Sequence, residues 1–231
     1  MALVPLTIIN PSASLILTYA KIQEEEHQEL FQRDLSFLDD MTQQRLERFR
    51  RWQDAQASLL GRMLLRYCLQ QSFGYELRAD SITYSEYKKP HLADSSIQFN
   101  ISHTHDLVVC AVQDQHALGV DVEYIRPIAI KDFRSKMTPN EWARVQQAKE
   151  QLPAFYDYWT SKEAILKVVG AGLYIDLKSF EIPLDRSGTY LDNQYWHLRS
   201  VALEADYCCY VSSALPIQSL IVDKVSDFRL I

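Results

Sequence analysis

Apolar positions recur along the chain with two periods, one helical and one extended. The helical period is clearest over residues 42–73, where Leu59, Met63 and Tyr67 follow one another at four-residue spacing, and Gly74 ends the stretch. Further helical patterns span residues 24–38, 130–136, 139–149 and 153–169. Short runs, several rich in Val and Ile, predict strands at 15–19, 82–84, 97–101, 107–112, 118–122, 180–182, 196–203 and 207–213.

The order of these elements repeats once. A strand, then helices, then strands occurs in the first half and again in the second, and no low-complexity linker separates them. We therefore predict an α+β protein of two related halves, an N-terminal half over residues 1–116 and a C-terminal half over 117–231. A cleft between two such halves is the natural place for a ligand.

Composition narrows the class of protein. Of the 231 residues, 47% are hydrophobic and 23% are charged, which is typical of a globular fold and excludes a disordered chain. The net charge of −6 argues against general nucleic-acid binding. No apolar run is long enough to span a membrane, and residues 1–20 lack the basic start of an export signal. The four cysteines lack paired CxxC spacing, which favours reduced thiols in a cytoplasmic protein.

The first stretch with evident chemistry is Gly119-Val120-Asp121-Val122-Glu123. In a strand, residues two apart point to the same face, so Asp121 and Glu123 project together. Two neighbouring carboxylates repel unless protons or cations intervene, and Mg²⁺ favours such oxygens together with substrate phosphates. The alternative is a solvent-facing acidic strand end.

The second stretch is the predicted helix around Trp159-Thr160-Ser161-Lys162-Glu163-Ala164-Ile165-Leu166-Lys167. Glu163 and Lys167 are four residues apart and share a face. They could form a surface ion pair, which stabilises a helix by only about 0.3–0.5 kcal/mol. The apolar flanks instead favour a buried helix. In that setting Glu163 is a third carboxylate for a metal and Lys167 a cation for phosphate.

Cationic and hydroxyl side chains gather in the first half. Lys89 precedes a proline and should be extended, and Ser102 and His103 lie where an apolar strand ends. Ammonium, hydroxyl and imidazole groups together suit phosphate, although the histidine could equally be solvated. Arginines outnumber acidic residues over 43–66, which indicates either a solvated helix face or a polyanion site.

These signals converge on a pyrophosphate-containing nucleotide bound with Mg²⁺. Neither a GxxxxGK[ST] loop nor a GxGxxG turn is present, so neither a P-loop nor a Rossmann site explains them. No nucleophile motif is present either. The attacking group is therefore expected to arrive with a second substrate.

The chain resembles the Sfp-type 4′-phosphopantetheinyl transferases over residues 43–213. The resemblance depends on an ordered set of motifs: Lys89-Pro90, Phe99-Asn100-Ile101-Ser102-His103, Gly119-Val120-Asp121-Val122-Glu123 and Trp159-x-x-Lys162-Glu163-Ala164-x-x-Lys167. It implies two similar halves in a pseudo-twofold arrangement, each a small antiparallel sheet packed with helices. It also implies transfer of the phosphopantetheine arm of coenzyme A to a serine of an acyl or peptidyl carrier protein, with Mg²⁺ or Mn²⁺, releasing adenosine 3′,5′-bisphosphate.

The resemblance also implies roles for individual residues. The metal ligands are Asp121, Glu123 and Glu163. The coenzyme A contacts are Arg45, Ser58, Lys89, Pro90, Ser102, His103 and Lys167. Glu163 is the expected proton acceptor, with Glu141 as second choice. Two positions depart from the family pattern, Thr104 in place of Ser and Ala171 in place of Lys.

Other functions fit part of this pattern. A Mg²⁺-dependent hydrolase of pyrophosphates needs the same carboxylates but no carrier protein. A non-catalytic coenzyme A binding module needs no Glu163. Nucleic-acid binding is supported only by the arginine-rich stretch and is opposed by the net charge of −6. Two homologous halves in one chain favour a monomer.

Overall fold

Two units make up the chain in the computed structural model, which describes residues 14–170 and 175–226. The first unit runs to Gln115 and includes the segment from Gln218 onward, and the second unit is His116–Ile217. The sequence predicts that the segment from Gln218 onward belongs to the second half, whereas in the structure it belongs to the first unit. The difference arises because a strand near the C-terminus pairs with the sheet of the first unit.

The first unit contains a four-stranded sheet, a short hairpin and three helices. Its strands are β1 (Ser14–Lys21), β2 (Ile82–Tyr84), β3 (Pro90–Leu92), β4 (Ile97–Thr104) and β5 (Leu107–Asp114), and its helices are α1 (His27–Asp34), α2 (Asp40–Glu47) and α3 (Trp52–Phe73). The C-terminal strand Ser219–Lys224, numbered β10 in chain order, completes the sheet in the order β10-β1-β5-β4. All pairings are antiparallel except β1 with β10.

Helix α3 covers this sheet and forms the core of the first unit. Leu60 and Leu64, one turn apart, are fully buried and belong to the same apolar cluster as Val108 and Val112 of β5. Gly74 ends the helix in the left-handed conformation with φ 61°, which glycine adopts without steric cost. The predicted end of the helix at this glycine is confirmed.

The predicted helix over residues 42–73 is interrupted. Helix α2 runs from Asp40 to Glu47, and the N-cap residue Asp39 accepts a hydrogen bond from the Thr42 N–H at 2.9 Å. Residues 48–51 then connect to α3, and all four side chains are exposed. Because none of these side chains is buried, tertiary packing does not stabilise a helical conformation over residues 48–51.

The second unit repeats the arrangement. Its strands are β6 (Leu118–Tyr124), β7 (Gly188–Leu191), β8 (Gln194–Ser200) and β9 (Tyr207–Ser213), and its helices are α4 (Pro139–Gln147) and α5 (Gln151–Val169). The antiparallel sheet has the order β6-β9-β8-β7. In the first unit β1 pairs with the second strand of the hairpin β4–β5, and in the second unit β6 pairs with the last strand of the meander β7–β8–β9. The prediction of two similar α+β halves is confirmed.

Residues 180–182, predicted as a strand, have no strand partner within the described parts of the chain. The Ile182 N–H donates to the Glu141 carboxylate at 3.1 Å. This N–H is therefore bonded to a side chain and not to the backbone of a neighbouring strand. The sequence analysis did not predict β3, β7 or β10, which are short or lie at sheet edges.

The described residues contain no helix that is both long enough and apolar enough to cross a membrane. All four cysteines are buried free thiols.

Candidate active site

Strand β6 and helix α5 touch backbone to backbone at Gly119. A Cβ atom placed on Gly119 would lie 2.3 Å from the Ala164 carbonyl oxygen and 2.5 Å from the Val168 nitrogen. Only glycine permits this approach. Asp121 and Glu123 lie two and four residues further along the same face of β6, so the close packing brings both carboxylates to the side chains of α5.

Two side chains of α5 reach across to these carboxylates. The Lys167 Nζ lies 2.6 Å from Asp121 Oδ1, and Asp121 is only 4% exposed. The Trp159 indole N–H donates to Glu123 Oε1 at 3.2 Å. The sequence analysis treated Trp159 only as an apolar flank, and its position in the motif is explained by this hydrogen bond.

The neighbouring charged side chains also affect the Glu163 carboxyl group. Burial raises the pKa of its carboxyl group, the charge of Asp121 raises it further, Lys167 acts in the opposite direction, and Glu123 raises it again. The structure therefore brings together four of the predicted site residues: Asp121, Glu123, Glu163 and Lys167.

The predicted metal ligands have the right chemistry for a hard divalent cation. Three carboxylates, two of which raise the pKa of the third, Glu163, supply the oxygen ligands that Mg²⁺ prefers. Among residues 14–170 and 175–226, however, no three acidic, histidine or cysteine side chains are arranged to hold a metal ion. In this structure the Lys167 ammonium is the cation beside Asp121. The metal assignment stays a prediction.

Glu141, the second candidate for proton acceptor, has its carboxylate engaged elsewhere. It is 1% exposed and pairs with the fully buried Lys162, whose Nζ lies 2.9 Å from Oε1. It also accepts the N–H groups of Thr138 at 2.9 Å and Ile182 at 3.1 Å. The Glu141 carboxylate is thus bonded by three donors and shielded from solvent, and it connects α4, α5 and residue 182. This geometry disfavours the predicted role of Glu141 as a base.

Lys162 is a residue of the motif to which the sequence analysis assigned no role. Besides Glu141, its ammonium donates to the carbonyl oxygens of Leu177 and Phe180. It also lies 4.4 Å from the centroid of the Phe180 ring. A buried ammonium needs such partners. No periodicity in the sequence indicates them, because they come from a different part of the chain.

The predicted nucleotide contacts belong to the first unit. Arg45 of α2 donates to the Ser58 hydroxyl of α3 at 3.3 Å, so these two candidates lie together. Lys89 and Pro90 lie on the hairpin, and burial lowers the pKa of Lys89 to about 8.

The remaining candidates differ in exposure or lie outside the described residues. Ser102 and His103 are consecutive in β4 and therefore face opposite sides of the sheet. Ser102 is buried and His103 is exposed. The departure at Ala171 lies outside the described residues, next to Gly170, which ends α5 in the left-handed conformation.

Comparison with known proteins identifies the family of the chain. Residues 117–212 match the 4′-phosphopantetheinyl transferase superfamily, and residues 16–115 match the family described as 4′-phosphopantetheinyl transferase, N-terminal. The chain is 33% identical over 180 residues to 4′-phosphopantetheinyl transferase gsp of Aneurinibacillus migulanus, covering 77% of this chain and 75% of that protein. It is 32% identical over 166 residues to 4′-phosphopantetheinyl transferase Sfp of Bacillus subtilis (strain 168), covering 70% and 73%.

These matches, together with the two-unit α+β fold, identify a group-transfer enzyme. The chain belongs to the 4′-phosphopantetheinyl transferase superfamily. It transfers the phosphopantetheine group of coenzyme A to carrier proteins, and the predicted family and activity are confirmed.

Proposed function

We propose that transfer takes place at the acidic site formed by Asp121, Glu123, Glu163 and Lys167. One observation carries the proposal: the Gly119 contact sets β6 against α5 and collects three interacting carboxylates and one ammonium on a single face. Phosphoryl transfer is catalysed mainly by positioning and charge stabilisation, and these groups supply both.

Asp121, Glu123 and Glu163 would hold Mg²⁺, or Mn²⁺ in its place. When bound, the cation neutralises charge on the pyrophosphate of coenzyme A. Lys167 adds a positive charge on the same face and binds a pyrophosphate oxygen.

Glu163 accepts the proton of the carrier serine. In the transfer, a bond forms between the serine oxygen and the phosphorus attached to pantetheine. The bond from that phosphorus to the oxygen of adenosine 3′,5′-bisphosphate breaks, and the bisphosphate leaves with the bonding electrons. A carboxyl whose pKa is raised by burial and by Asp121 holds the transferred proton more readily than an exposed one.

In the first unit, Arg45 and Ser58 would bind the 3′-phosphate, and Lys89 with Pro90 would bind the nucleotide. Ser102 and His103 are proposed for the same ligand. The Arg45–Ser58 hydrogen bond supports the first pair, since guanidinium and hydroxyl groups together suit phosphate.

The carrier is proposed to be an acyl or peptidyl carrier protein, and the enzyme to be a cytoplasmic monomer that binds no nucleic acid. Four buried free cysteines suit a reducing compartment. The net charge of −6 opposes nucleic-acid binding.

The role of Glu163 is tested by Glu163→Gln. We expect the rate of holo-carrier formation, followed by the mass gain of apo-carriers incubated with coenzyme A and Mg²⁺, to fall about 10²–10³-fold. Glu150→Gln is the matched control, because Glu150 is exposed at the start of α5 and should leave the rate unchanged. Near-wild-type transfer by Glu163→Gln would remove this residue from the mechanism.

The metal assignment is tested by thermal unfolding without any substrate. Adding Mg²⁺ to chelator-treated protein should raise the melting temperature of the wild type, because a ligand that binds only the folded state stabilises it. Asp121→Asn should abolish most of this shift and Glu150→Gln should retain it. An equal shift in Asp121→Asn would contradict Asp121 as a ligand.

A further inference from the structure

Arg62 of α3 is a buried cation that none of the sequence motifs includes. It is 8% exposed, and its Nη2 donates to the Tyr84 hydroxyl at 2.9 Å. Its Nη1 is buried and has no hydrogen-bond partner among the described residues. Burying a guanidinium is costly unless its contacts compensate, so the hydrogen bond to Tyr84 contributes strongly to its placement.

Tyr84 lies at the end of the β2–β3 hairpin that carries Lys89 and Pro90. The register pairs Tyr84 with Pro90, and the turn that follows is closed by the Ser85 N–H donating to the Lys89 carbonyl at 2.9 Å. The opposite end of the hairpin, where Ile82 pairs with Leu92, packs into the core. Arg62 therefore contacts the end of the hairpin that carries Lys89 and Pro90.

This hairpin needs such a contact. Strands β2 and β3 contain three residues each and form a separate two-stranded sheet. A two-stranded hairpin is marginally stable on its own, and here the core supports its Ile82–Leu92 end. At the turn end, Tyr84 is 49% exposed, so burial alone does not hold it.

Arg62 also acts on the other elements that carry predicted nucleotide contacts. It lies one helical turn after Ser58 on α3, so the two share a face. At the start of α2, burial acts to raise the pKa of Asp39, but hydrogen bonds from Thr42 and the charge of Arg62 outweigh it and lower that pKa. Arg62 is thus linked to α2, to α3 and to the hairpin.

We propose that Arg62 is a positioning residue for coenzyme A: through the Tyr84 hydroxyl it fixes the turn end of the β2–β3 hairpin, so that Lys89 and Pro90 are held ready for the nucleotide. The proposal rests on the assignment of Lys89 and Pro90 to the nucleotide made above. It adds two residues, one of them buried, to the set that determines coenzyme A affinity.

Steady-state kinetics at saturating carrier test the proposal. Tyr84→Phe removes only the hydroxyl that Arg62 binds. We expect the KM for coenzyme A to rise about three- to tenfold, in line with the net contribution of one ordinary hydrogen bond, while kcat stays within about twofold of wild type because positioning of the nucleotide is regained at saturation. Arg62→Met should raise the KM at least as much, and the double variant no further than Arg62→Met alone.

Two further variants make each outcome decisive. Tyr190→Phe removes the hydroxyl of an exposed tyrosine in the second unit and should leave the KM unchanged. Lys89→Ala tests the underlying assignment. If Lys89→Ala raises the KM and Tyr84→Phe does not, the positioning role of Arg62 is wrong while the nucleotide assignment stands. If neither changes the KM, both are wrong. Lower kcat and a lower melting temperature at an unchanged KM would also overturn the proposal, since they indicate a purely structural role.

Discussion

At the residue scale, the proposed site depends on a few ionisable side chains whose pKa values are shifted by burial and by neighbouring charges. Glu163 gains proton affinity from burial and from Asp121, whereas burial lowers the pKa of Lys89 to about 8. The sequence was sufficient to predict the carboxylates, since period-two and four-residue spacings place them on shared faces. It could not predict that Lys162 and Glu141 pair, because that contact depends on tertiary packing.

Lys89 leads to a prediction on pH. A lysine with a pKa of about 8 is protonated below that pH and neutral above it. If the ammonium binds coenzyme A, kcat/KM for coenzyme A should fall as the pH rises through about 8, because kcat/KM reports the protonation of the free enzyme.

The matched variant is Lys89→Arg, since arginine keeps its charge throughout this range. Its profile should lack the decline near pH 8, whatever its absolute rate. A decline that persists unchanged in Lys89→Arg would assign the titration to another group.

At the element scale, β6 and α5 form one packed pair, and α3 plays the corresponding part in the first unit. Periodicity predicted α4 and α5 with ends close to those observed and α3 with its correct C-terminal end, and the two long helices α3 and α5 each bury many apolar side chains. It failed at residues 48–51 and 180–182, where exposure and a side-chain hydrogen bond decide the backbone. Neither the exposure of residues 48–51 nor the hydrogen bond at Ile182 produces a periodic pattern of apolar residues in the sequence.

Gly119→Ala should separate β6 from α5. The added methyl would meet backbone atoms of Ala164 and Val168, which cannot rotate away, so we expect a loss of about 3 kcal/mol or more in the free energy of unfolding by urea. Gly61→Ala is the comparison variant: its added methyl would lie 2.9 Å from the Ile101 side chain, which can shift where backbone cannot, and it gains helix propensity, so we expect a smaller loss. Equal losses in the two variants would contradict the close-packing argument.

Lys162→Met should destabilise the second unit by about 3–5 kcal/mol, because it leaves the Glu141 carboxylate buried without its cation. Glu141→Gln in the same chain should restore part of the loss, since a neutral amide needs no buried cation and its one oxygen still accepts from either the Thr138 or the Ile182 N–H. Urea unfolding of the single and double variants measures this. No recovery in the double variant would show that Lys162 acts mainly through Leu177 and Phe180.

At the scale of the whole molecule, the chain leaves its first unit at residue 116 and returns to it at residue 218. The repeated order of strands and helices was enough to predict two similar halves. The return was not predicted, because β10 is a short edge strand with mixed exposure and no partner nearby in sequence. Pairing over such a sequence distance leaves no local signal.

Removal of residues 218–231 should therefore destabilise the first unit and spare the second. The truncation deletes the parallel pairing with β1 and the hydrogen bond from the Tyr67 hydroxyl to Asp223 at 3.0 Å. Hydrogen exchange resolved by peptide should show lost protection in β1 and β5, with β6 and β9 unchanged. Uniform protection in the truncated chain would contradict the division into units.

The position of β10 also affects which of the two units can complete its fold first during translation. Translation yields β1 early and its parallel partner only after the complete second unit has been made. Domains generally fold as they emerge, so the unit encoded second can finish its fold first, while the unit encoded first waits for its last strand.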